Sequence, residues 1–109
     1  MLPRINALPQ SIQPLMLDMC VNHGAGKAIK IMQRVINQAG IEQVMEDGIC
    51  GPSTQHAAQR TQEAMGVYFQ NALVDERINF YRQIVSHTPS QLVFLRGWER
   101  RAESFRVVV

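Results

Sequence analysis

The chain has 109 residues, a net charge of +2, 46% hydrophobic and 18% charged residues, and 6% aromatics. A single domain of that size buries about two thirds of its surface and carries one modest core. The apolar fraction excludes a disordered chain, the scarcity of aromatics and Val/Ile/Thr runs excludes a large sheet, and the small charge excludes a dedicated nucleic-acid binder.

No apolar run reaches the ~18 residues of a membrane span. The first ten residues carry Arg4 and two prolines and lack the apolar stretch of a signal peptide. Residues 1–8 are expected to be a poorly ordered lead-in. Ile12, Leu15, Met16, Met19 and Cys20 then recur at helical spacing, after a cap near Ser11 and with Pro14 in the first turn. Asn22-His23-Gly24 closes that helix. A second helix is predicted over 25–39, with Ala28, Ile31, Met32, Val35 and Ile36 inward, Lys27, Lys30 and Arg34 outward, and Gly40 as its stop.

Residues 41–51 read as a loop or short hairpin, with Asp47-Gly48 as a turn and Ile49 as a plug into the core. Pro52 launches a helix over 53–65, and Gly66 marks a kink or break. A long helix over 67–86 turns Phe69, Ala72, Leu73, Ile78, Tyr81 and Val85 inward, and His87-Thr88-Pro89 ends it. The last helix, over 90–105, presents Leu92, Val93, Leu95, Trp98 and Phe105 as its apolar side, and residues 106–109 are a tail expected to fray. The fold class is therefore all-α: a compact bundle of about five helices in one domain over 1–109.

Three constellations carry chemistry. Asp18 and Asn22 share a helix face, and Asn22 with His23 forms either a helix cap or a polar lip beside a groove. Residues 46–54 contain Asp47, Gly48, Gly51 and Thr54, a structured turn without the Gly-Lys-Ser/Thr of a phosphate loop. Arg77 and Tyr81 lie four apart, and Gly97-Trp98-Glu99-Arg100-Arg101 follows on the next helix. Trp, Tyr and Arg together suit a stacking surface for sugar rings or bases, or else a core with its polar tips satisfied. The basic patch of Arg96, Arg100 and Arg101 also complements a helix C-terminus.

His23, His56 and His87 are scattered, so neither a metal site nor a nucleophilic triad is expected, and no cofactor motif occurs. Cys20 and Cys50 lack zinc or CxxC spacing. They are two small buried apolar residues, or one disulfide if the chain works outside the cytoplasm.

The ordered set Asp18, Val21, Asn22, Gly24, Gln33, Asp47, Gly48, Gly51, Thr54, Arg77, Tyr81, Gly97, Trp98 and Arg101 resembles the C-terminal region of glycoside hydrolase family 108, also described as a predicted peptidoglycan-binding domain. The resemblance runs from about residue 8 to 105; Cys50 departs from it, in a slot expected to be aliphatic or aromatic. It implies part of a lysozyme-like fold in a bacterial or phage muramidase or endolysin. The ligand would be the peptidoglycan glycan strand or its stem peptide, with Asn22, His23, Asp47, Thr54, Arg77, Tyr81, Trp98 and Arg101 as candidate binding residues.

The family's catalytic acid is a glutamate in an N-terminal Glu-Gly-Gly segment, and no Glu-Gly pair occurs here. No catalytic residue is assigned, and an N-terminal catalytic segment is an expected partner. Action at the cell envelope, in the periplasm or outside the cell would then need export by a route other than a signal peptide. Two other readings stand beside it. One is a helical interaction or oligomerisation domain, including a homodimer. The other is nucleic-acid binding through Lys27, Lys30, Arg34 and the 96–101 patch, which the low charge disfavours.

Overall fold

The computed structural model describes residues 4–108. Five α-helices form: α1 (Gln13–His23), α2 (Ala25–Ala39), α3 (Pro52–Met65), α4 (Val67–His87) and α5 (Leu92–Glu103). Short 3-10 turns at Ile5–Ala7 and Gln10–Ile12 precede α1, and another at Pro89–Gln91 precedes α5. No strand occurs among the described residues, and the segment between α2 and α3 is a loop rather than a hairpin. The expected all-α bundle of five helices is the observed fold.

The core is built around α2, which packs against α1, α3 and α4. Its buried residues Ala28, Ile29, Ile31, Met32, Gln33, Val35 and Ile36 cover far more than one stripe, as suits a helix with neighbours on three sides. The other central element, α4, touches α2, α3 and α5 and buries Phe69, Leu73, Val74, Arg77, Ile78 and Tyr81. Leu15, Met16, Met19 and Cys20 close the core from α1, and Ala57 and Ala58 let α3 approach closely. Burial of each large apolar side chain contributes about 1.5–3 kcal/mol.

Several local expectations are corrected. Ser11 does not cap α1; its hydroxyl donates to Gln62 Oε1 at 2.9 Å, and a 3-10 turn leads into the helix at Gln13. In the lead-in, Leu8 is buried, and its carbonyl accepts from Gln13 Nε2 at 2.9 Å; residues 1–3 lie outside the described residues. Leu92 and Val93 are 61% and 76% exposed. The helical neighbour of α5 is α4, so a single stripe through Leu95, Trp98 and Ala102, continued by Phe105 beyond its end, is covered.

Ile49 does not plug the core and is 65% exposed. The tail does not fray as far as Val107. Asn71 on α4 clamps Val107, its Oδ1 accepting the backbone N–H at 2.8 Å and its Nδ2 donating to the carbonyl at 2.9 Å. Arg106 reaches Asp75 at 2.6 Å and Glu103 at 2.7 Å. Val109 lies outside the described residues.

Candidate functional site

Arg77 projects from the middle of α4 and is completely buried. A buried guanidinium is tolerated only beside a counter-charge, because its desolvation costs several kcal/mol. Asp18 of α1 supplies that charge: Arg77 Nη2 lies 2.7 Å from Asp18 Oδ2, at an angle outside hydrogen-bonding geometry. Arg101 of α5 donates to the other oxygen through Nη2 at 2.6 Å and Nε at 3.2 Å. Asn22 Nδ2 donates to Asp18 Oδ2 at 3.1 Å, and Arg77 Nε donates to the Tyr81 hydroxyl at 2.9 Å. Burial works against ionising Asp18, yet the hydrogen bonds from Arg101 and the close guanidinium charges of Arg77 and Arg101 outweigh it and hold the carboxyl below the usual range. Asp18, Asn22, Arg77, Tyr81 and Arg101 thus form one network tying α1, α4 and α5 together.

An aromatic row runs beside the network. His23, at the end of α1, packs edge-on to Phe80 and tilted to Tyr81, both at 5.0 Å between centroids. Tyr81 stacks on Trp98 at 5.1 Å, and Trp98 stacks on Phe94 at 5.8 Å. Tyr81 is buried, Phe80 and Trp98 are half-buried, and Phe94 is 51% exposed. The indole therefore spends its stacking on two protein rings, and Phe94 is the ring open to solvent. The i, i+4 spacing of Phe94 and Trp98 on α5 dictates that pairing.

His23 Nε2 is buried without a hydrogen-bond partner among the described residues. Burial, then the neighbouring Arg77 charge and more weakly Lys27, push its pKa down to about 4 against the opposing pull of Asp18. The unfolded chain takes up this proton near the ordinary value of 6.5, while the folded chain does so only near 4. Stability from the neutral ring is full above pH 6.5 and is lost as pH falls from there toward 4. Discounted for the part-exposed ring, the loss is about 1–2 kcal/mol. Urea midpoints of the chain and of His23→Gln, measured across that range, check it: the native slope with pH should exceed that of the variant.

Two candidates, Asp47 and Thr54, lie elsewhere, in a knot that shapes the loop before α3. Gln33 is fully buried at its centre. Its Nε2 lies 3.0 Å from each of Asp47 Oδ1, the Ile49 carbonyl and Thr54 Oγ1, and its Oε1 accepts the Gly48 N–H at 2.9 Å. Asp47 also accepts the Ile49 N–H at 2.9 Å. That bond and the one from Gln33 hold its carboxyl below the usual range. Asn37, one turn further along α2, binds Val44 in the same two-bonded way, at 2.8 and 2.9 Å. Among the described residues, 41–50 make no backbone–backbone hydrogen bond; the loop hangs on side-chain amides. Asp47 and Thr54 are thereby occupied by the fold.

The groove between α2 and α4 was not legible as a site in the sequence. One depression of about 290 Å³ is lined by Lys27, Lys30, Ile31, Arg34, Glu46, Glu76, Phe80 and Gln83. A second, of about 460 Å³, continues it through Arg34, Glu76 and Gln83 toward Gln38, Asn79, Arg82 and Ser86. The readable signal was the outward stripe Lys27, Lys30, Arg34 on α2. The missed residue was Phe80, next to Tyr81 but turned toward α2, where Lys27 Nζ lies 5.9 Å from its ring centre.

The carboxylates near the α5 surface are engaged by arginines. Glu99 accepts from Arg82 at 3.0 Å, and the hydrogen bond from Arg106 holds Glu103 below the usual range. A general acid for glycoside cleavage needs the opposite shift. Cys20 and Cys50 are both free thiols, Cys20 buried and Cys50 half-buried. Burial pushes the Cys20 thiol up, with Cys50 near enough to add to the effect.

No curated protein and no solved structure matches the chain significantly. The family model described as "Predicted Peptidoglycan domain" matches residues 27–103, from the third residue of α2 to the last of α5. The match takes in the Gln33 knot, the Arg77 network on α4 and α5, and both walls of the α2–α4 groove, and by it the chain belongs to the predicted peptidoglycan domain family.

Proposed function

We propose that the chain is a peptidoglycan-binding module of a muramidase or endolysin, acting at the cell wall, with the catalytic acid supplied by a segment outside these 109 residues. The family match over 27–103 carries the binding half of this reading. The muramidase half rests on the resemblance to glycoside hydrolase family 108 and the lysozyme-like fold it implies. That the acid lies elsewhere is supported by the absence of a Glu-Gly pair and by the arginine partners of Asp18, Glu99 and Glu103. Of the eight candidate residues, we assign ligand contact to the exposed Asn22 and Arg101 and to the half-buried His23 and Trp98 beside them; Arg77 and Tyr81 hold these side chains in place.

The purified chain should pellet with insoluble peptidoglycan at low and moderate salt without clearing the suspension. Retention in the supernatant while a known wall binder pellets would sink the reading. Clearing that disappears in one Glu→Gln variant would relocate the catalytic acid to this chain. A second reading, self-association, is favoured by the consecutive exposed Leu92, Val93 and Phe94. Its test is the solution mass, and a monomer at high concentration removes it.

A further inference from the structure

We infer that the α2–α4 groove receives the peptidoglycan stem peptide, a short extended peptide bearing free carboxylates, rather than the glycan strand; the inference rests on the wall-binding reading above. The charge layout is the first ground. Within the groove, Arg34 is neutralised by Glu76 at 3.5 Å and Glu46 at 3.9 Å. Lys27 and Lys30 line the same wall, and neither has a carboxylate within 4.0 Å among the described residues. The groove therefore has a cationic end, where neither ammonium is ion-paired although Asp47 lies within Coulomb range of Lys30, and a balanced middle.

The positive end of α2 reinforces this polarity. The helix starts at Ala25 with no acidic residue in its first turn and no side-chain cap, so its partial positive charge adds to that of Lys27. Beyond Arg34, the lining is Gln38, Asn79, Gln83 and Ser86, neutral hydrogen-bonding groups, together with Arg82, whose charge Glu99 balances at 3.0 Å. These suit the alternating N–H and C=O groups of a peptide backbone.

Chemistry separates the two components of the wall. The lactyl carboxyl of muramic acid is consumed in its amide to the peptide, so the glycan strand is neutral, while the stem peptide keeps its carboxylates. Neutral sugars gain nothing from two unpaired ammonium groups. They gain most from an open aromatic face, and Phe80, the aromatic ring of the first depression, has Lys27 above it and the His23 ring against it. Size agrees as well. From Lys27 to Gln38, α2 advances about 16 Å at 1.5 Å per residue. An extended peptide of four or five residues spans about 13–18 Å.

The test uses the whole chain and three probes: intact peptidoglycan, chitin as an insoluble neutral glycan of β-1,4-linked N-acetylglucosamine, and a soluble stem tetrapeptide with lysine or diaminopimelate at its third position. The tetrapeptide should shift the amide resonances of Lys27, Lys30 and Phe80. Chitin should pellet the chain at least about tenfold less well than intact wall. The double variant Lys27→Glu/Lys30→Glu exchanges two exposed side chains, and its Tm should stay at the native value. Its tetrapeptide affinity should fall by at least about tenfold, the effect of roughly 1.4 kcal/mol. Equal binding to intact wall and to chitin, or an unchanged affinity in the double variant, overturns the inference and leaves wall binding standing. No binding to intact wall overturns both.

Discussion

Asp18→Ala is expected to destabilise the fold by about 3–5 kcal/mol, because it leaves the buried Arg77 guanidinium without its counter-charge. For a chain of this length the fall in Tm is more than about 12 °C. Arg101→Ala removes the other arginine bound to the same carboxylate, but that side chain is 62% exposed, and its loss costs no more than about 1 kcal/mol. Pairing Asp18→Leu with Arg77→Met should recover most of the stability, since apolar replacement of a whole buried pair is often neutral. Thermal melts of the three variants check this, and equal, small losses for Asp18→Ala and Arg101→Ala would show that Arg77 is solvated. Acid has the same sign. The stabilisation from Asp18 is complete above its ordinary value of 3.8 and is lost as pH falls through its lower folded value.

Gly48→Val is the second large effect. Gly48 has φ 76°, and a Cβ there would lie 2.9 Å from the Gly26 carbonyl oxygen and 3.4 Å from two further Gly26 backbone atoms. A β-branched residue suffers both the left-handed conformation and a collision with backbone that cannot swing away. The combined cost is about 3–5 kcal/mol, with a correspondingly large fall in Tm. Gly97→Ala, on the open face of α5 where a Cβ meets nothing within 4 Å, should instead hold or raise Tm. A Gly48→Val variant melting like the native chain would show that the loop does not pack on α2 as described.

Where hydrophobic period decides, the sequence was readable. The second helix runs over 25–39 as predicted, because its inward residues and its glycine stop agree. The same pattern misplaced Leu92 and Val93: period says which residues can share a stripe, not how many neighbours a helix will have. It was also blind to buried polar work. Gln33, fully buried among apolar neighbours, organises a whole loop, and nothing in composition distinguishes it from the exposed Gln38. The candidate residues split for a related reason. Asn22, His23, Arg77, Tyr81, Trp98 and Arg101 meet in space because three helices converge on Arg77, whereas Asp47 and Thr54 answer to Gln33. A motif written along the chain does not separate residues that hold the fold from residues that face a ligand.

The loop between α2 and α3 is fixed through its backbone by Gln33 and Asn37, and its side chains Asp47, Glu46 (accepting from Asn37 at 3.2 Å) and Glu42 (3.5 Å from Arg60) tie it to the neighbouring helices. Met45 is 77% exposed, Ile49 65%, and Glu46 reaches the groove beside Arg34. The constraint on this loop therefore falls largely on two positions of a neighbouring helix and leaves the outward Met45 and Ile49 open to change. Substitution at Met45 and Ile49 is expected to change the loop's outer surface while the helices beneath keep their packing.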